Sequence, residues 1–217
     1  MSRAVIFLNG ELKGSNEFYH NYIEAKDTIL CADGGAKYTY QLNLMPDLIL
    51  GDLDSLQQEI IKFYRERNVE FEKFPVEKDK SDTELLLERV LDEGYQEVVF
   101  LAALGKRFDH ALANLYLLEG FFTEEVEMKI ITPHNQLEVI KGEKNIKGKS
   151  GKTVSFFPLS KKVEVVMLKG FKYELEDGKL IRGKTLGLSN SISSDLAQVK
   201  IKTGTLLMII NNGALSN

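Results

Sequence analysis

The first 132 residues switch repeatedly between short apolar runs and longer amphipathic stretches, and this alternation limits the fold more than any other feature. Ala4–Leu8, Thr28–Ala32, Leu48–Leu50, Val69–Phe74, Val98–Leu104 and Met128–Ile131 read as strands. Between them Ser15–Ala25, Gly35–Leu42, Leu56–Arg67, Asp82–Glu93 and Asp109–Gly120 read as helices. Strand–helix alternation predicts a mostly parallel, Rossmann-like α/β sheet with helices on both faces. In such sheets ligands bind beyond the carboxyl ends of the strands, so the loops that follow the strands are where chemistry belongs.

From about Pro133 the texture changes. Nine of the 17 glycines fall in residues 133–217, beside β-rich runs at Gln136–Ile140, Thr153–Phe157, Val163–Leu168, Phe171–Leu175, Gln198–Ile201 and Thr205–Ile210. Turn signals such as Glu176-Asp177-Gly178 separate them. Short strands at close spacing predict an antiparallel β-sandwich. The expected organisation is an α/β domain over residues 1–132 and an all-β domain over residues 133–217, joined near Pro133–Lys152.

Charge is divided unevenly. The chain carries a net −4, yet residues 1–132 hold 14 basic and 25 acidic side chains while residues 133–217 hold 14 basic and 7 acidic. Acidity gathered in one half suits bound cations. The lysines of the other half are scattered, without a stripe or an aromatic platform, which argues against nucleic acid as a partner. One cysteine, Cys31, excludes a disulfide framework, and with three histidines it excludes a cysteine-type zinc site. Apolar stretches such as Val98–Leu104 and Leu206–Ile210 are too short to span a bilayer. Met1–Gly10 lacks the separate regions of a signal peptide and reads as a strand. A soluble, cytoplasmic protein without a membrane partner is expected.

Four strand-end segments carry the chemistry. In Leu48-Ile-Leu-Gly-Asp52-Leu-Asp54-Ser55, two aspartates at i and i+2 point to one side of an extended chain and can hold a hard cation such as Mg²⁺. Turn formation by Gly51-Asp52 and helix capping by Asp54 or Ser55 is the plainer alternative. In Glu77-Lys78-Asp79-Lys80-Ser81-Asp82-Thr83-Glu84, Ser81 and Glu84 form a capping box, and the helix end it starts keeps Asp79 and Asp82 ionised. In Leu104-Gly105-Lys106-Arg107-Phe108-Asp109-His110, a glycine admits a phosphate, Arg107 can clamp it, and a helix N-terminus favours its charge. There the alternative is an N-cap at Asp109, an ion-paired Arg107 and a structural His110. Ala32-Asp33-Gly34-Gly35 is a further loop whose glycines permit close ligand approach. Turn chemistry explains each segment singly, but their shared sheet edge points to phosphates with a divalent metal.

Gly148-Lys149-Ser150-Gly151-Lys152-Thr153 imitates the tail of a P-loop. The glycine required five positions earlier is Glu143 or Ile146, and a strand-like run follows instead of a helix, so it reads as a basic turn.

Taken in order, Asp33-Gly34-Gly35, Pro46-Asp47…Gly51-Asp52-Leu53-Asp54-Ser55, the Glu77–Glu84 segment and Gly105-Lys106-Arg107-Phe108-Asp109-His110 resemble the thiamine pyrophosphokinase family across essentially the whole chain. The resemblance implies diphosphate transfer from ATP: the primary hydroxyl of thiamine attacks the β-phosphorus, giving thiamine diphosphate and AMP. It implies Mg²⁺ bridging the phosphates, with Asp52, Asp54, Asp79 and Asp82 as metal and catalytic carboxylates and Arg107 as phosphate clamp. Asp33, Gly34 and Gly35 belong to the nucleotide loop, to which Lys106, Asp109 and His110 add contacts. Ser189 and Asn190 belong to the thiamine side. A homodimer with thiamine near the subunit boundary is also implied. The chain departs from the family pattern at Ala102 and Lys106, where glycines are common, and it has no tryptophan to stack on thiamine, so a Phe or Tyr must serve.

Three other readings stand beside this one. A haloacid-dehalogenase-type, Mg²⁺-dependent phosphatase would use Asp52 as nucleophile, although its Asp-x-Asp normally ends the first strand rather than the third. A related diphosphokinase would act on a pterin alcohol, and a non-catalytic sensor would only bind Mg·ATP.

Overall fold

The computed structural model describes residues 2–73 and 79–213. Phe74 of the fourth expected strand, and Glu77 and Lys78 of the acidic segment, lie outside the described residues. The chain divides into two compact units, Met1–Pro133 and His134–Asn217.

In the first unit β1 (Arg3–Phe7), β2 (Thr28–Ala32), β3 (Leu48–Leu50), β4 (Glu70–Glu72), β5 (Glu97–Leu101) and β6 (Glu127–Ile131) form parallel pairs in the order β6-β5-β1-β2-β3-β4. Ala4 to Phe7 and Val98 to Leu101 are buried along their length, as expected of central strands covered on both faces. Among the described residues the helices are α1 (Asn16–Tyr22), α2 (Ala36–Gln41), α3 (Gln58–Arg65), α4 (Asp82–Asp92) and α5 (Phe108–Gly120), with a 3₁₀ turn at Asp33–Gly35. Val5, Phe7, Ile49, Val99 and Leu101 share one core cluster with Ile60, Ile61 and Tyr64 from α3. Within it the Tyr64 hydroxyl donates to Thr39 Oγ1 (2.9 Å), and Thr39 donates to the Ala36 carbonyl (3.0 Å), so the buried polar groups are paired.

The chain runs outward from β1 through β2 and β3 to β4, then returns to place β5 against the other side of β1. A crevice opens at that reversal, beyond the carboxyl ends of β1 and β5.

The second unit is a two-sheet sandwich. β7 (Asn135–Ile140), β14 (Leu206–Asn211), β9 (Thr153–Pro158) and β12 (Asn190–Ser191) form one antiparallel sheet; β8 (Glu143–Lys147), β13 (Leu196–Thr203), β10 (Lys162–Lys169) and β11 (Leu175–Ile181) form the other. Val154, Phe156 and Met208 from the first meet Val163, Val165, Val199 and Ile201 from the second in one core.

Several expectations are corrected. Glu176-Asp177-Gly178 is not a turn but lies inside β11, where Gly178 stands opposite Val165. β11 is an edge strand with only Leu180 buried, so pairing with β10 holds a polar run that side-chain pattern does not announce. Phe171–Leu175 is not a strand: Phe171 makes an isolated bridge to Ile192 and packs edge-on against Phe156. β8 went unexpected because Ile146 is its only buried residue. β5 stops at Leu101, three residues early, because Ala102 turns to φ +51°. Gly148 and Gly151 both have positive φ and flank a tight turn, as expected of a non-P-loop segment. Among the described residues no helix is long and apolar enough to cross a membrane.

Candidate active site

Beyond the crevice lies a cleft of about 490 Å³. The β1 loop (Leu8 to Glu11), Asp33, Asp52, the start of α4 (Lys80 to Thr83) and the β5 loop (Ala103, Gly105, Lys106, Arg107) line it, with His110 and Asn114 from α5. All these segments follow strands or open helices at one sheet edge.

Asp33 reaches the cleft because Gly35 lets the loop after β2 lie against β1: a Cβ at Gly35 would come within 2.1 Å of the Phe7 carbonyl oxygen. Asp33 itself has a left-handed backbone (φ +44°), as does Leu53 between the two aspartates of the next loop (φ +69°). Such conformations cost a non-glycine residue about 1–2 kcal/mol and persist where the surroundings impose them. Asp52 and Asp54 are therefore brought together by a turn, not by the pleat of an extended strand; the Asp54 N–H donates to Asp52 Oδ1 (3.1 Å). Helix capping does not account for them, since Gln57 is the N-cap of α3.

Carboxylate oxygens of Asp33, Asp52 and Asp54 lie within 4.8 Å of one another. Asp33 Oδ1 is buried and has no hydrogen-bond partner. The Asp54 carboxyl is pushed above its ordinary value, first by its side-chain hydrogen bond with Asp52 and then by that neighbour's charge.

Ser81 caps α4 as expected, its hydroxyl accepting from the Glu84 N–H (3.2 Å). Asp82 opens the helix and faces the cleft, whereas Asp79 is exposed and outside its lining. Lys80 also lines the cleft while pairing with Glu88 (2.6 Å). Arg107, not Asp109, is the N-cap of α5, without a side-chain cap bond. Its guanidinium grips Asp109 through Nε (3.0 Å) and Nη2 (2.6 Å), which holds the Asp109 carboxyl well below the usual range. Lys106 and His110 are exposed at the cleft wall.

Ser189 and Asn190 lie in the second unit. Asn190 is buried; its Oδ1 accepts from the Tyr173 N–H (3.0 Å) and the Ser191 N–H (2.8 Å), and its Nδ2 donates to the Tyr173 carbonyl (2.7 Å). Ser189 is exposed, has φ +56°, and donates its N–H to Ser155 Oγ (3.0 Å). Sequence reasoning passed over Asn9 and Asn114. Asn9 follows β1 directly, and the rule used for the other strand-end loops points to it equally; Asn114 lies two turns into α5, where sequence carries no such sign.

The profile of the family described as thiamin pyrophosphokinase, catalytic domain, matches residues 19–130, and that of its vitamin B1 binding domain matches residues 135–208. The chain belongs to the thiamine pyrophosphokinase family. As a member it is an ATP-dependent enzyme that converts thiamine to thiamine diphosphate. Among its relatives, the Bacillus subtilis thiamine pyrophosphokinase is 26% identical over 179 residues, covering 82% of this chain and 84% of that protein. The Caenorhabditis elegans thiamin pyrophosphokinase 1 is 24% identical over 216 residues, covering 94% and 86%. The crystal structure of the Geobacillus thermodenitrificans thiamin pyrophosphokinase superposes with a TM-score of 0.86 at 25% identity over the whole of both chains. The B. subtilis crystal structure gives 0.87 at 22% identity over 98% of this chain and all of that one. Membership of the thiamine pyrophosphokinase family sets aside the phosphatase, pterin and sensor readings. Asp52 follows the third strand, whereas a haloacid-dehalogenase nucleophile normally ends the first.

Proposed function

We propose that diphosphate transfer takes place in the cleft of the first unit, with ATP phosphates held between the α4 and α5 N-termini and the three-aspartate cluster. The observation that carries this reading is the meeting, at the sheet's reversal point, of Asp33, Asp52 and Asp82 with Lys106 and Arg107 in one cleft wall. Anionic groups and a cation site belong together where phosphate is transferred.

The cluster fits a hard divalent cation such as Mg²⁺: Asp33 Oδ1 is a buried acceptor left without a donor, and Asp52 and Asp54 add oxygen ligands beside it. Bound there, the ion supplies neutralisation of phosphate charge. Asp33, Asp52 and Asp54 are its candidate ligands, and Asp82 faces the same cleft from α4; Asp79, outside the lining, is assigned no phosphate contact.

Arg107 is the clamp. Its present hold on Asp109 keeps the fork ordered, and a phosphate offers the same bidentate geometry with greater charge. The free N–H groups of the first turns of α4 and α5 favour anions. Of Asp79 and Asp82, we assign to Asp82, which lines the cleft, the acceptance of the proton of thiamine's primary hydroxyl as its oxygen attacks the β-phosphorus; the bond from that phosphorus to the α-phosphate oxygen breaks, and AMP leaves. Positioning and charge carry the rate, with no covalent intermediate on the protein.

For thiamine we assign the surface around Ser189, Asn190 and Tyr173. Asn190 spends its side chain holding the Tyr173 backbone at both N–H and carbonyl, and Tyr173 is 60% exposed. An aromatic face attracts cations, as Lys172 Nζ at 5.3 Å from the ring centroid illustrates, and the thiazolium of thiamine is a cation that would take that lysine's place.

The working form is a cytoplasmic homodimer. α5 buries only Leu118 and exposes Phe108, Leu112 and Tyr116 at successive i, i+4 spacing, a face that suits a second copy.

The experiment is AMP release from Mg·ATP with and without thiamine. AMP equal to thiamine diphosphate, abolished in Asp82→Asn, is expected; ADP or free phosphate alone would overturn the assignment of the carboxylates.

A further inference from the structure

The β5 loop is held in place by three consecutive carbonyls. Ala102 O accepts from the Gly10 N–H (2.8 Å) and Leu104 O from the Glu11 N–H (2.9 Å), both backbone bonds across the crevice between β1 and β5. Between them Ala103 O accepts from the side chain of Asn114, Nδ2 at 2.7 Å. In a trans peptide the carbonyl and the next N–H point in opposite directions. Fixing these three carbonyls therefore fixes the three peptide planes from Ala102 to Gly105, two of them tied to the β1 loop and the middle one to α5. Ala103, Gly105 and Asn114 all line the cleft.

The turn begins at the left-handed Ala102 and carries Gly105, Lys106 and Arg107 into the cleft wall. Two of the three clasps are backbone and survive any side-chain change. The middle one depends on a single carboxamide, which fixes the peptide between Ala103 and Leu104, just ahead of the cleft-lining Gly105, Lys106 and Arg107.

Resting on the cleft as the phosphate site, we propose that Asn114 is a positioning residue for ATP: by holding the Ala103 carbonyl it fixes the β5 loop that presents Gly105, Lys106 and Arg107 to the phosphates. Asn114 then acts on nucleotide affinity through the loop, without touching the reacting atoms.

The test compares Asn114→Asp, which keeps the shape but loses the donor, with Asn114→Ala and Asn114→Gln. Dissociation constants for Mg·ATP are measured by calorimetry without thiamine, alongside KM for each substrate and the melting temperature. The expected result is an approximately tenfold weaker ATP affinity and a matching rise in KM for ATP in the Asp and Ala variants, the loss of about one good hydrogen bond. KM for thiamine is expected to stay unchanged, and Asn114→Gln, which retains an amide donor, recovers part of the affinity. Unaltered ATP affinity in Asn114→Asp and Asn114→Ala overturns the proposal. So does a fall in melting temperature with equal damage to both substrates and no recovery by Gln, the mark of a purely structural residue. Arg107→Ala is run in parallel: if it too leaves ATP affinity intact, the fault lies in the placement of the phosphates, and the proposal falls with it; if only Arg107→Ala weakens binding, the cleft stands and the role of Asn114 alone is refuted.

Discussion

A Cβ added to Gly51 would stand 3.0 Å from the Cβ of Asp33. The end of β3 and the loop after β2 are thus in contact across a residue without a side chain, and this contact lets Asp33 join Asp52 and Asp54. Gly51 also has φ +150°, which a residue with a side chain rarely adopts. Gly51→Ala is expected to destabilise the protein by about 1–3 kcal/mol. It is also expected to weaken divalent-cation binding by pushing Asp33 from the cluster. Urea denaturation and Mn²⁺ titration followed by electron paramagnetic resonance check the two effects separately.

Arg107 can be tested for geometry apart from charge. Arg107→Lys keeps a cation but loses the planar fork, so kcat/KM for ATP is expected to fall about 100-fold, close to the loss in Arg107→Ala. Steady-state kinetics decide, and near-wild-type activity in the Lys variant would show that charge alone suffices.

Tyr173→Ala is expected to raise KM for thiamine about tenfold, the upper range of a cation–π contact, with KM for ATP unchanged. Tyr173→Phe should keep the wild-type value, since the proposed contact is with the ring and not the hydroxyl.

Leu112 lies mid-helix on the exposed stripe of α5, between Phe108 and Tyr116. Leu112→Glu is expected to give a monomer by light scattering while the circular dichroism spectrum is retained, because the side chain is exposed in the single chain. A dimer that persists in the variant would place the interface elsewhere.

Alkaline pH should find a weak point in the first unit's core. Burial pushes the Cys31 thiol from 9.0 up to about 12, and burial likewise pushes Tyr19 from 10.0 to about 12. Both pKa values are raised on folding, so their contribution to stability is complete below the unfolded values and is lost as pH rises toward the folded ones. Stability is expected to stay level with respect to these groups up to about pH 9 and to fall between there and about 12. Melting temperatures of wild type and Cys31→Ala measured over that range test this: the onset should move up toward pH 10 in the variant, where Tyr19 remains.

Local pattern carried much of this protein. The buried runs of β1, β2 and β5 announce a parallel sheet because each is apolar on both faces, and the cap at Ser81 is written in four consecutive residues. The strand-end rule pointed to the loops of Asp52, Asp82 and Arg107, three residues that line one cleft. What sequence alone did not determine depends on contacts between distant segments. β8 and β11 exist because neighbouring strands supply their hydrogen bonds, and with one buried residue each they have no period to read. Asp33 looked like part of a glycine loop; only the approach of Gly51 shows it beside Asp52 and Asp54. Asn114 gains its meaning from the Ala103 carbonyl, eleven residues away in the chain. Hydrophobic period and capping are short-range and survive in a one-dimensional string, whereas the meeting of loops is set by how strands order themselves in a sheet, which tertiary packing alone decides.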